Sequence, residues 1–158
     1  MTRSAAREIA VRLCFSAEMM DHGTDNAADV APVDFVGDFF EPEHYATLGK
    51  EDALYAERPT EEQMNYIRNL VSLVTEHQEE LDGHISRHAK GWSLNRISRV
   101  SLAVMRCAIC EILYLDDVPT ATAIDEAVEI AKRYEEPETV SFINGVLGGF
   151  VRENREQA

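Results

Sequence analysis

Residues 96 to 115 read RISRVSLAVMRCAICEILYL, and from Ile97 to Leu115 the apolar positions leave almost no side uncovered. Val100, Leu102, Val104, Met105, Ala108, Ile109, Ile112 and Leu113 fall on nearly every face of a helical wheel. A helix that is hydrophobic all round is one enclosed by others. The run is interrupted by Arg106 and Glu111, so it reads as the centre of a helical core and not as a membrane span.

Working outward, both flanks keep the helical period. After the turn DDVP, Pro119 suits a first helical turn, Thr122 with Asp125 offers a cap, and Ala123, Ala127, Ile130 and Ala131 supply an inner face. Pro137 opens a last helix carrying Val140, Ile143, Val146, Leu147 and Phe150. In it Gly145, Gly148 and Gly149 each cost up to about 1 kcal/mol relative to alanine, and the close approach of another helix is expected to compensate at Gly145. On the other side a helix starts near Pro59–Thr60, with Gln63 completing a capping box and Met64, Ile67, Leu70, Val71, Val74, Leu81 and Ile85 as its stripe, Gly83 being a point where it can break. The first helix runs from about Ser4 to Met20, burying Ala6, Ile9, Ala10, Leu13, Ala17 and Met20. No strand pattern occurs, so the fold class is all-α.

At 158 residues with net charge −14, the chain is one domain in size, long enough to bury roughly 70% of its unfolded surface. More than half of that charge sits in residues 21–59, where ten acidic residues against Lys50 and Arg58 give −8. Gly23, Pro32, Gly37, Pro42 and Gly49 break any long period there. It reads as a partly ordered acidic insertion whose VDFVGDFF can dock as a short apolar anchor. A body so acidic repels phosphate, and any nucleic-acid site must be local. Cys14, Cys107 and Cys110 are odd in number and apolar in setting, as reduced thiols are. Arg7, Glu8 and Arg12 interrupt any signal-peptide core. A cytoplasmic location with no membrane passage is expected.

Several ordered blocks together carry a family resemblance. Arg106 and Glu111 in the central helix, Val118–Pro119, Ala123-Ile124-Asp125-Glu126-Ala127 and Phe142-Ile143-Asn144-Gly145-Val146-Leu147, with AAREIAVRLCFS at the start, resemble the NusB family of transcription antitermination factors across about 120 residues. The resemblance implies two small helical bundles, about seven helices in all, packed at a steep angle within a single domain 1–158: an N-terminal part to about residue 90 that carries the insertion, and a C-terminal part from about 91. It implies binding of boxA RNA of ribosomal transcripts jointly with NusE, a small-subunit ribosomal protein, an indirect link to the RNA polymerase elongation complex, no catalysis and no cofactor. Similar domains open certain ribosomal-RNA methyltransferases, but with Ala158 soon after the last helix, a methyltransferase domain is not expected. The rival reading is a helical protein-interaction adaptor with weak or lost RNA binding. The expected state is a monomer or weak homodimer.

Arg3, Arg7, Val11 and Phe15, spaced by four, make one ridge beside the buried stripe. Fork-shaped cations leading to an aromatic face suit phosphate and an unpaired base, so Arg3, Arg7 and Phe15 are the RNA-binding candidates, with Phe142 a fourth. Arg12 lies on the other side and is expected to answer Glu8. Family first helices are richer in arginine than this one with its Ser4, Ala5 and Ala6, which implies weak RNA binding without a partner. The family usually has an acid where Ser101 stands, helping to hold NusE; Ser101, Glu111 and Glu126 are therefore the partner-facing candidates, with an internal network to Arg106 favoured for the two glutamates. Cys107 and Cys110 in mid-helix lack a second ligand pair, His77, His84 and His88 share a stripe without an HExxH glutamate, and no catalytic motif occurs. No metal site and no enzyme are expected.

Overall fold

The computed structural model describes residues 1–23 and 35–156. Its α-helices in chain order are α1 (Arg3–Gly23), α2 (Phe35–Phe39), α3 (Pro42–Glu51), α4 (Glu61–Glu76), α5 (Gln78–His88), α6 (Arg99–Tyr114), α7 (Thr120–Tyr134) and α8 (Pro137–Glu156), with 3-10 turns at Ala53–Tyr55 and Leu94–Arg96. There is no strand among the described residues, and the all-α class stands. The chain divides into two compact units, Met1–Asn69 and Leu70–Ala158.

In the second unit α6 is the hub, packed by α5, α7 and α8. Eleven consecutive residues, Ser101 to Glu111, are buried, as an all-round apolar helix requires. Ser98 caps its N-terminus, its side chain accepting from the Ser101 N–H. Ala123, Ala127, Ile130 and Ala131 of α7 are buried, and α8 buries Val140, Ile143, Val146, Leu147 and Phe150. Each fully buried Ile, Leu or Phe contributes about 1.5–3 kcal/mol of transfer free energy. Helix α7 begins two residues before the Thr122 cap expected from sequence; Pro119, without an N–H to satisfy, is its N-cap. The stripe from α4 into α5 is buried from Ile67 to Ile85, Met64 being half-buried, but the break falls at His77. Gly83 continues the helix. Gly145 also differs from expectation: a Cβ there would meet nothing within 4 Å, and the close approach belongs to Gly149, where a Cβ would sit 2.8 Å from His88 Nδ1. Two helices meet at one glycine of the three, and sequence alone does not distinguish which.

In the first unit Ala6, Ile9, Ala10 and Leu13 of α1 are buried, and the capping box before α4 forms in both directions, Thr60 N to Gln63 Oε1 at 3.0 Å and Gln63 N to Thr60 Oγ1 at 3.2 Å. Residues 24–34 of the acidic insertion, with Pro32, lie outside the described residues, as does the Met20 side chain. The rest of the insertion folds round a small aromatic core. Val36 and Phe40 anchor it, both buried, and Phe39 meets Phe40, Tyr45 and Tyr55 edge-on at 5.0 to 6.1 Å between centroids. The Tyr45 hydroxyl donates to the Glu57 carbonyl at 2.7 Å, and burial, with Tyr55 beside it, pushes its pKa up to about 12 against the opposing Arg58. Gly49 is required where α3 passes the chain: a Cβ would stand 2.7 Å from the Tyr55 carbonyl oxygen.

Candidate nucleic-acid interface

The opening turn of α1 carries cations at the helix end where the backbone dipole is positive and favours anions, and that turn itself contains no acidic residue. Tyr66 of α4, nine-tenths buried, lies beside them. The Arg3 guanidinium lies 3.7 Å from the Tyr66 ring centroid and that of Arg7, one turn on, lies 5.8 Å from it, so both arginines address one ring. Arg3 keeps exposed surface; Arg7 is 4% exposed, and Val11 beside it is buried. Phe15, two turns further, is half-exposed. The ridge of the helical wheel exists, yet only its two ends reach solvent.

Arg12 gains partners that sequence spacing does not offer. Its Nη1 donates to Asp52 Oδ2 at 2.7 Å and to the Tyr55 hydroxyl at 3.1 Å, tying α1 to the folded part of the insertion forty residues away. That hydrogen bond, with a second from the Leu54 N–H, holds the Asp52 carboxyl below its ordinary range. Sequence spacing had offered only Glu8.

Of the second unit's candidates, Phe142 is half-exposed on α8, its ring 6.0 Å from that of Trp92. Ser101 and Glu111 are fully buried, which removes both from direct contact with a partner protein. Ser101 Oγ donates to Glu135 Oε1 at 3.0 Å, and Ser98 Oγ bonds the same oxygen. A half-exposed carboxylate therefore stands against Ser101, brought from the junction of α7 and α8. Glu126 is half-exposed. Arg106, 5% exposed, is gripped by Asp82 of α5 through Nε–Oδ1 at 2.6 Å and Nη2–Oδ2 at 2.9 Å. The three cysteines are free and buried. His84 packs edge-on against Phe150 at 4.9 Å, its pKa lowered by burial, and His88 meets Glu153. Among the described residues no group of three or more His, Cys, Asp or Glu is placed to hold a metal ion, and no helix is long and apolar enough to cross a membrane.

Residues 4–152 match the family model of the NusB family. The chain belongs to the NusB family. The transcription antitermination protein NusB of Acetivibrio thermocellus is 40% identical over 152 residues, 96% of this chain and 90% of that protein. That of Ruminiclostridium cellulolyticum is 35% identical over 147 residues, 93% and 86% respectively. The structure of T. maritima NusB superposes with a TM-score of 0.70 at 28% identity, covering 97% of this chain and 92% of that one. A chain from a structure of antitermination factors NusB and NusE in complex with dsRNA superposes equally, TM-score 0.70, at 20% identity and 96% coverage of both, which shows the common fold.

Within this NusB frame the residues in contact with the candidates that sequence reasoning missed are Tyr66 and Glu135. Tyr66 precedes Ile67 on the buried stripe and reads as core. Glu135 lies 34 residues from Ser101 in sequence, and no local period links them.

Proposed function

We propose that this NusB-family chain acts in transcription antitermination by holding boxA-type RNA of ribosomal transcripts together with NusE, and that it works by recognition, not chemistry. The observation that supports this reading is the Arg3–Tyr66 pair. A guanidinium parked at 3.7 Å over a ring is oriented in advance, and it sits at a helix end where its charge opposes the dipole, a local conflict of the kind found at functional sites. Arg3 makes the phosphate contact, and Arg7 and Tyr66 position it. Phe15 and Phe142 offer ring faces. With Ser101 and Glu111 inside, the partner-facing carboxylates are Glu126 and Glu135, the latter standing where the resemblance leads one to expect an acid at Ser101. NusE contributes positive charge that a chain of net charge −14 lacks.

The test is a titration of labelled boxA RNA with this chain, with NusE and with both. Binding by the pair that is tighter than by either alone is expected, and equal affinity for the mixture and NusE alone would refute joint recognition. The burial of Arg7 favours one rival, an adaptor that keeps NusE and has lost RNA. Capture of NusE that is unaffected by RNA, with no gain in RNA affinity, would select that rival.

A further inference from the structure

Helix α8 is held to α5 along a seam that contains two imidazoles. His84, Arg87 and His88 of α5, three and four residues apart, share a face of that helix, and α8 packs on it. The His84 ring stands edge-on against Phe150 at 4.9 Å. Phe150 is 1% exposed, so hydrocarbon seals that side of the imidazole. One turn on, the His88 ring lies on the backbone of α8 at Gly149, where a Cβ would collide with it. Both Arg87 and His88 address one carboxylate of α8: Glu153 accepts from Arg87 Nη1 and meets His88 Nε2.

The nearest carboxylate on the same helix is also engaged. Glu80 accepts from the Tyr114 hydroxyl of α6 at 2.9 and 2.7 Å and lies 3.5 Å from His77 Nδ1, whereas His84 Nε2 is 3.9 Å from it. Arg106 of α6 is turned to Asp82, about 200° round the helix from His84. A proton on His84 therefore arrives against a buried ring and beside Arg87 and His88, while Glu80 and Glu153 already serve other donors. Burial above all, with Arg87 and His88, holds the His84 pKa below the ordinary 6.5 against the opposing pull of Glu80 and Glu153.

We propose that His84 is a proton-operated release for the last helix: a proton taken up there loosens the α5–α8 seam while the α6 core stays closed. The opened chain takes this proton at the ordinary imidazole value and the closed seam only at a lower pH. The seam is thus at full strength above about pH 6.5 and weakens as pH falls from there toward the value of the closed state. The release acts on the helix that carries Phe142, and it stands whether or not that ring touches RNA.

Amide hydrogen exchange of the full chain, read by NMR and referred at each pH to the rate of an unstructured peptide, follows the seam between about pH 7.5 and about pH 5.5. At the lower end, one unit below the ordinary imidazole value, a site empty when closed and filled when open costs at most about tenfold in protection. A loss of several-fold is expected for residues 147–152 of α8, with little change for residues 101–111 of α6. His84→Phe keeps a ring against Phe150 and takes no proton, so it should abolish the loss in α8. The ring-proton titration of His84 in the unaltered chain needs no variant, and its midpoint should lie below 6.5. A midpoint at or above that value would overturn the proposal, as would no change in α8 or a loss that survives in His84→Phe. Equal losses in α6 and α8 would mean general acid unfolding and would overturn the local release. Protection of α8 that rises in acid would show that the attraction of Glu153 for a protonated His88 governs the seam, and it too would overturn the proposal.

Discussion

The Arg106–Asp82 pair sets a test of how this core tolerates charge. The two side chains bond through both ends of the guanidinium, at 2.6 and 2.9 Å, but they are not equally buried: the arginine side chain is 6% exposed and the aspartate 20%. Losing one partner of a buried pair costs about 3–5 kcal/mol, because a charge is left behind without its counterpart. The cost depends on which charge is left. Asp82→Ala takes the bidentate acceptor from the deeper cation and belongs at the upper end, about 4 kcal/mol. Arg106→Met leaves a carboxylate that water reaches and a side chain of similar length in the core, so about 2 kcal/mol is expected. The double variant removes both charges and should be more stable than Asp82→Ala alone, since an apolar replacement of a buried pair is often near neutral. Urea unfolding of the four proteins closes the cycle. At 2–4 °C per kcal/mol for a chain of this size, the melting temperature of Asp82→Ala should fall by roughly 8–16 °C. A double variant as unstable as the sum of the single ones would show that the two charges do not stabilise each other, and the reasoning would fail.

Four further outcomes are expected. Gly149→Ala should destabilise by about 1–3 kcal/mol, because its Cβ would meet His88 Nδ1 at 2.8 Å and Cγ at 3.3 Å, whereas Gly145→Ala, with open space, should stabilise by about 0.5–1 kcal/mol; thermal melts of both decide it. Asp52 has a folded pKa below its ordinary 3.8, so its stabilisation is complete above that value and is lost as pH falls through the folded pKa. Asp52→Asn should flatten this acid limb, an effect that fades in high salt because the Asp52 side chain is more than a third exposed, as urea midpoints from pH 5 downward will show. Arg3→Ala should lower RNA affinity of the complex with little change in melting, while Arg7→Glu, which places a carboxylate at a site 4% exposed, should lower the melting temperature first. Glu135→Gln should weaken NusE capture more than Glu111→Gln does per degree of lost melting temperature, since only Glu135 has exposed surface.

What the sequence discloses follows from the range over which each signal acts. The enclosed α6, the inner faces of α7 and α8 and the Thr60–Gln63 box are set by periods of three or four residues, and they are legible because burial obeys those periods. The aromatic core of the insertion was not legible. Phe39, Phe40, Tyr45 and Tyr55 follow no single period, and short helices broken at Pro42 and the Ala53–Tyr55 turn carry them to one point. Arg12 shows the same limit, since a helix offers it Glu8 at four residues and the fold offers Asp52 at forty. The three glycines of α8 are equivalent in sequence, and only the position of His88 singles out Gly149.

The opening arginines are affected most. A helical wheel makes Arg3 and Arg7 equal members of a ridge, and equal RNA contacts would follow. Tyr66 makes them unequal. The Arg3 guanidinium sits over the ring at 3.7 Å while that of Arg7 stays at 5.8 Å under cover. A cation held over a ring gives up little further rotamer freedom when a phosphate arrives, so its contact is stronger than that of a free side chain. One positioned arginine still neutralises one phosphate, worth a salt slope of about 0.7 on a single strand, too little to hold an RNA against the chain's own repulsion. Affinity must therefore come from cations outside this turn, on NusE or elsewhere on this chain. The salt slope of the free chain separates these sources: a slope near 0.7 assigns the remainder to NusE, and one near 2 assigns it to further cations of this chain.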